Sequence, residues 1–360
     1  MHTKRVDRHL MPAAVLTLAM LACSTVESLV FGTPESVSPE GADTAVAAVR
    51  PGAADGPIPE LQGYWQDGLK VYTILWQDDA YVVTAVNSVG EGDPQILEQS
   101  WDGSSLTWTY KNYAGADTYS MVVQSVSGDR LNVQWSGYRG TSGPAALRRT
   151  ASATPASEVL PFRDAFSDPG TGWDVFENEF GSTAYENGYY SVRSLIKETG
   201  QLGYAYRYFT DPVIAFDVTA VSGPSSNEFG FFIGCNDQLN GNGYEFMLDA
   251  NGYFTIGKYT NNGEDYESLI PDDEWRFSSA IRTGQETNQV VAMCARGRLR
   301  LEVNGKLLWE AADDSWSEGD INLGVISWED TPAEYHFDNL EVTAPWAMRT
   351  RGAFRPAIHP

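Results

Sequence analysis

Short apolar segments, each closed by a Gly, Asn or Asp turn, recur about every ten residues from Ile58 to Pro345, and none carries a convincing helical repeat. That rhythm restricts the chain to antiparallel β structure. Val71, Thr73 and Leu75 alternate with Tyr72, Ile74 and Trp76 before Asp78-Asp79 turns the chain into Tyr81-Val82-Val83. Trp101-Asp102-Gly103-Ser104 leads into Leu106–Tyr110, and Ser127-Gly128-Asp129 leads into Leu131–Trp135. Residues 58–150 are expected to form an antiparallel meander closed as a small barrel or sandwich. Further on, strands are predicted at Val213–Val221, Phe229–Cys235, Tyr244–Asp249, Tyr253–Tyr259 and Gln289–Ala295. Leu299–Asn304, Lys306–Ala311, Ile321–Trp328 and Tyr335–Val342 continue the series, with Asn304-Gly305 as a type I′ hairpin signal. So many strands in one segment fold as a two-sheet jelly roll, and the whole chain is predicted to be all-β.

Two vocabularies divide it. Residues 58–150 hold five Trp and seven Tyr and no Phe, whereas residues 161–345 hold 13 Phe. Thr150-Ala-Ser-Ala-Thr-Pro155-Ala-Ser opens the polar linker, residues 151–160, between the two units. The five tryptophans of the first unit are expected mainly in its core, with one or two left exposed to stack on sugars.

Charge narrows the partners. The formal net charge is −24 over 360 residues, which opposes nucleic acid or an anionic lipid surface as the main partner, since both need clustered Lys and Arg. The four histidines stand at 2, 9, 336 and 359, so most His-dependent catalysis and most His-based metal sites are excluded. His336 reads as a sheet residue and His359 as part of the basic tail 346–360, which carries Arg349, Arg351 and Arg355 and is expected to be disordered.

At the N-terminus Lys4, Arg5 and Arg8 precede an apolar stretch, Leu10–Ala22, too short to span a bilayer of about 30 Å hydrocarbon thickness. Residues 1–22 read as a secretion signal. Leu21-Ala22-Cys23-Ser24 resembles the bacterial lipobox, with Met20 and Leu21 in place of its favoured Leu and small residue. That resemblance implies acylation of Cys23, with residues 23–57 as a disordered tether holding the protein in the bacterial cell envelope. A secreted, unanchored chain is the alternative. Such a tether has an r.m.s. span of roughly 30 Å. With Cys23 so assigned, Cys235 and Cys294 are the remaining thiols. Alternation turns both toward one core, and an oxidising compartment favours a disulfide over two buried thiols.

Gly63-Tyr64-Trp65 resembles the Gly-x-Trp opening of lipocalin-like barrels, from which no ligand is carried over. The second unit resembles bacterial concanavalin A-like (laminin-G-like) jelly-roll modules. The resemblance rests on Phe166-Ser167-Asp168-Pro169, Gly172-Trp173, Asn187-Gly188-Tyr189-Tyr190, Gly243-Tyr244-Glu245-Phe246 and Phe337-Asp338-Asn339. Asp249 to Gly252 with Tyr253–Lys258, the Asn304-Gly305 hairpin, and Gly319 with Leu323-Gly324 extend it over residues 161–345. It implies sugar-binding modules, glycoside hydrolases or 3-keto-disaccharide hydrolase-like domains without choosing among them.

Retaining β-glucanases of this type present Glu-x-Asp-x-Glu on one strand. Here the nearest pattern is Glu245-Phe246-Met247-Leu248-Asp249, whose central position is apolar. Glu245 and Asp249 are therefore candidate carboxylates, and an outward acidic pair is the competing reading. Asp272-Asp273-Glu274 reads as a solvated turn. The amide-rich loop 235–243 offers Asn236, Asp237 and Asn242 to sugar hydroxyls, with Trp275 and Trp328 as stacking partners; a plain hairpin tip is the competing reading. No cofactor is required. Calcium is the candidate metal, and by resemblance Asp164, Asp168 and Asp338 would hold it, unless they serve as turn caps and surface carboxylates. The expectation is a non-catalytic carbohydrate or cell-surface-polymer binder. A glycoside hydrolase-type enzyme and a protein-interaction module are the alternatives.

Overall fold

The structure is a computed structural model and describes residues 56–68, 70–87, 93–111, 118–137, 142–238, 241–273 and 275–345. The signal peptide, Cys23, residues 24–55 of the tether and the basic tail 346–360 lie outside the described residues.

The first unit is an eight-stranded antiparallel sheet in which every strand neighbours the next in sequence, apart from the seam between β3 and β4. Its strands are β1 (Gly63–Asp67), β2 (Lys70–Gln77), β3 (Ala80–Asn87) and β4 (Gln95–Trp101). β5 (Leu106–Lys111), β6 (Tyr119–Ser127), β7 (Arg130–Ser136) and β8 (Ser142–Thr150) follow. β8 returns to pair with β1, placing Arg149 opposite Trp65. At the seam the Val83 amide donates to the Gln99 side-chain oxygen at 2.8 Å. The sheet is thus a nearly closed up-and-down barrel, which leaves few unpaired edges. Trp65, Tyr72, Ile74, Leu106, Trp108 and Leu147 fill it, while Trp76, Trp101 and Trp135 pack half-buried around that core. A short 3₁₀ turn, Pro59–Leu61, closes one end, where the Trp65 indole donates to the Leu61 carbonyl at 2.7 Å.

The second unit begins with β9 (Phe162–Asp164), β10 (Phe176–Glu177), β11 (Gly181–Glu186), β12 (Tyr189–Ser194), β13 (Gln201–Tyr204) and β14 (Phe209–Thr210). β15 (Val213–Ser222), β16 (Phe229–Asp237), β17 (Gly243–Asp249), β18 (Tyr253–Thr260), β19 (Asp265–Ser268) and β20 (Arg276–Phe277) come next. β21 (Asn288–Ala295), β22 (Arg298–Val303), β23 (Lys306–Ala312), β24 (Glu318–Ser327) and β25 (Ala333–Thr343) complete it. One sheet runs β10-β11-β12-β25-β15-β21-β22-β23 with β9 beside β25, and the other β13-β24-β16-β17-β18-β19 with β14 and β20 at its margins. Every strand-to-strand pairing in the two sheets is antiparallel, with one isolated parallel bridge from Lys197 to Ser327, and strands far apart in sequence lie side by side, as in a jelly roll. Inner positions of both sheets, among them Phe216, Phe231, Phe246 and Phe337, make one core. Cys235 on β16 and Cys294 on β21 are disulfide-bonded across that core, with Cα atoms 6.5 Å apart.

The linker is fastened to both units. Gln66 and Ala156 exchange hydrogen bonds at 3.0 and 3.1 Å, and Arg148 of the barrel and Arg207 of the sandwich share the Glu158 carboxylate. Gly68, at φ +56°, lies so close to Tyr206 that a Cβ there would sit 3.1 Å from its backbone, so only glycine suits both the turn and the approach. In this junction Lys70 Nζ lies 3.2 Å from the Tyr110 hydroxyl and 3.6 Å from Asp67. Burial works against the Lys70 charge, but Tyr110 and Asp67 outweigh it and hold the ammonium protonated. Burial pushes Asp174 up to about 7, against the hydrogen bonds from Tyr206 and the Tyr204 amide.

Candidate functional site

Strand alternation sends Phe231, Ile233 and Cys235 into the core and turns Phe232 and Gly234 outward; the same rule turns Glu245, Met247, Asn322, Gly324 and Ile326 outward. Two rows cross this outer face. In one, Leu202, Gly324, Phe232, Met247 and Thr255 lie side by side; in the next, Tyr204, Asn322, Gly234, Glu245 and Gly257 do. The first row is apolar up to Thr255, and Trp275 and Trp328 pack on it, edge to face with each other at 5.6 Å between their ring centroids. The second row is polar. Glycines give it its shape: a Cβ at Gly234 would strike the Asn322 amide, one at Gly324 the Phe232 ring, and one at Gly257 the Tyr266 ring. Side chains on neighbouring strands can thus lie flat across the sheet.

Glu245 sits in that polar row, 9% exposed. Burial pushes its carboxyl up to about 8, against a hydrogen bond from Tyr259, and Tyr259 in turn packs on Tyr266 at 5.0 Å. At neutral pH the group is therefore a neutral acid that can donate a hydrogen bond. Asp237 accepts from the Asn322 amide at 3.2 Å and from the Tyr204 hydroxyl at 3.5 Å. Asp320, fully buried nearby, accepts from the Arg207 amide at 3.0 Å, and burial raises its pKa.

The residues singled out from sequence divide. Asp237, Trp275, Trp328 and Glu245 share the outer face. Asn236 does not: it is buried at φ +52°, and its amide donates to the Cys294 and Trp316 carbonyls, holding a bulge in β16. Asn242 lies near the hairpin tip, accepting from the Gly263 amide at 3.4 Å. Asp249 caps the turn after β17, accepting from the Asn251 and Tyr253 amides. Tyr204, Asn322, Tyr259 and Tyr266 went unremarked in the sequence. The signal for this face was the alternation Gly230, Phe232, Gly234 in a buried strand, which marks close approach by a neighbour.

Asp164 ends β9, Asp168 caps the turn Pro169–Thr171 and Asp338 lies within β25. Asp164 accepts from the Phe166 amide, Asp168 caps Gly170 and Asp338 accepts from the Asn339 amide. Among the described residues, the one set of three His, Cys, Asp or Glu side chains with ligand atoms mutually within 4.8 Å is Glu186, Glu334 and His336. The three aspartates do not form such a set.

No family model matches the chain, and no curated protein does. Among solved structures it is similar to the carbohydrate-binding module CBM66 from Bacillus subtilis, with 19% identity over 48% of this chain and 95% of that one and a TM-score of 0.38. It is also similar to a prokaryotic β-1,3-1,4-glucanase (lichenase) derived from a mouse hindgut metagenome, with 12% identity, coverage of 51% and 99%, and a TM-score of 0.39. A galectin-like-fold protein of unknown function from Bacillus subtilis matches at 10% identity, coverage of 52% and 97%, and a TM-score of 0.40. Likenesses this distant carry no inference about activity.

Proposed function

We propose that the protein is an exported, lipid-anchored binder of carbohydrate that does not hydrolyse its ligand. The observation that carries this is the juxtaposition on one outer face of Trp275 and Trp328 with the polar row Tyr204, Asn322 and Glu245. Sugar rings present apolar faces and hydroxyl edges, and an aromatic platform beside fixed donors and acceptors meets both. Glycan-array binding by the full chain tests it. Trp328→Ala and Trp275→Ala should each lose binding by more than about tenfold, or ~1.4 kcal/mol. Wild-type protein that binds no glycan, or variants that bind unchanged, would overturn the reading.

One observation favours a second reading, an enzyme. Glu245 and Asp237 face the same way from adjacent strands, so two carboxyl groups share one face, the kind of pair that glycoside hydrolysis uses. Incubation with β-glucans and with 3-keto-disaccharides separates the readings. Binding without turnover supports the binder; turnover abolished by Glu245→Gln supports the enzyme.

Anchoring through Cys23 rests on the charged n-region, the short apolar run and Ala22. Cys23→Ser should release the protein from the membrane fraction or leave it unprocessed, and unchanged fractionation refutes the anchor.

A further inference from the structure

We propose that Glu186, Glu334 and His336 bind one divalent transition-metal ion of the zinc class on the outer face of the other sheet, away from the glycan face. Glu334 and His336 are two residues apart on β25, so both project from one side, and Glu186 reaches them from the end of β11. Between them runs β12, where Tyr189 pairs with Glu186 and Ser191 with His336.

The geometry suits a small ion. Two ligands each about 2.1 Å from a tetrahedral centre lie about 3.4 Å apart, and His336 Nε2 stands 3.2 Å from Glu334 Oε1. Glu186 is exposed and free to close the remaining distance. The supporting contacts hold the other two in place. The Tyr189 ring stacks on the imidazole at 5.2 Å and 22°, fixing its plane. The Ser191 hydroxyl donates to Glu334 Oε1 at 3.1 Å, the kind of second contact that orients a ligating carboxylate.

The donor set names the class. One imidazole nitrogen with two carboxylate oxygens favours zinc and its first-row neighbours, whereas calcium and magnesium prefer oxygen alone. Arg193 lies opposite Glu334 in the register and is the competing cation. Three protein ligands leave a coordination position for water or another small ligand. The ion would tie the β11–β12 hairpin to β25.

Isothermal titration of the full chain, purified without a polyhistidine tag, with zinc chloride at about pH 7.5 tests the proposal. One zinc per chain is expected, with no competition from calcium chloride. His336→Ala should abolish the isotherm, and Glu186→Gln, an exposed change that leaves the fold intact, should weaken it at least about tenfold. His359→Ala should leave it unchanged. No saturable zinc binding by the wild type, or binding that survives both His336→Ala and Glu186→Gln, overturns the site.

Discussion

The guanidinium of Arg149 lies over the indole of Trp65, 4.1 Å from the ring centroid, while its nitrogens donate to the carbonyls of Gln62 and Glu60. A residue of the last barrel strand thereby clamps the first strand and the 3₁₀ turn that closes the barrel end. Arg149→Ala should destabilise the barrel by about 2–3 kcal/mol, from the lost cation–π contact and two charge-assisted hydrogen bonds. Arg149→Lys should recover only part, because an ammonium lacks the planar fork. Urea unfolding followed by tryptophan fluorescence measures both.

Asp313 gathers the Tyr244 hydroxyl at 2.6 Å, the Lys258 ammonium at 2.7 Å and the Ser315 amide at 2.9 Å. Burial pushes its pKa up, but the bonds from Lys258, Ser315 and Tyr244 prevail and hold the carboxyl well below the usual carboxylate range. A depressed carboxylate stabilises the fold above its unfolded pKa of about 3.9 and loses that contribution as pH falls through the folded value. Asp313→Asn should therefore cost about 2 kcal/mol at neutral pH. The gap between wild type and variant should narrow steadily as pH falls below about 4, read as the difference between their urea midpoints.

Glu245 has the opposite sign. Its folded pKa is raised to about 8 by burial, so ionisation favours the unfolded chain once pH passes the ordinary glutamate value near 4.3. The penalty reaches its full size above the folded pKa. Glu245→Gln should match wild type at about pH 4 and exceed it at about pH 9, by at most about 5 kcal/mol. Thermal melts across that range check the sign; a variant less stable than wild type at high pH contradicts it.

Cys235 and Cys294 close a 59-residue separation between the two sheets. Replacing both with Ala should destabilise the sandwich by about 4 kcal/mol in the chain-entropy model. Wild-type protein under strong reductant should lose a comparable amount.

The nine strands read from the sequence between residues 213 and 342 all form, with ends shifted by three residues or fewer, because each carries alternation long enough to show a period. β9 to β14, β19 and β20 were not read as strands: all but two run two to four residues, shorter than any pattern can resolve, and the six-residue β11 and β12 on either side of Asn187-Gly188 mix polar and apolar residues on both faces. The pairing of Cys235 with Cys294 was readable from alternation and number. The row Tyr204–Asn322–Gly234–Glu245 was not, since its members come from four strands spread over more than a hundred residues and meet only through register. His336 shows the same gap most sharply. On its own strand it is a sheet residue, and only the return of β25 beside β12, bringing Glu186 within reach, gives it company.

Residues 151–160 have the composition of a loose spacer, yet Gln66 grips Ala156 and two arginines from different units share Glu158. Barrel and sandwich are therefore tied through the side chains that bracket the linker as well as through its backbone. A change at Ala156 or Glu158 would thus reach the barrel and the sandwich at once, although neither residue belongs to a strand of either.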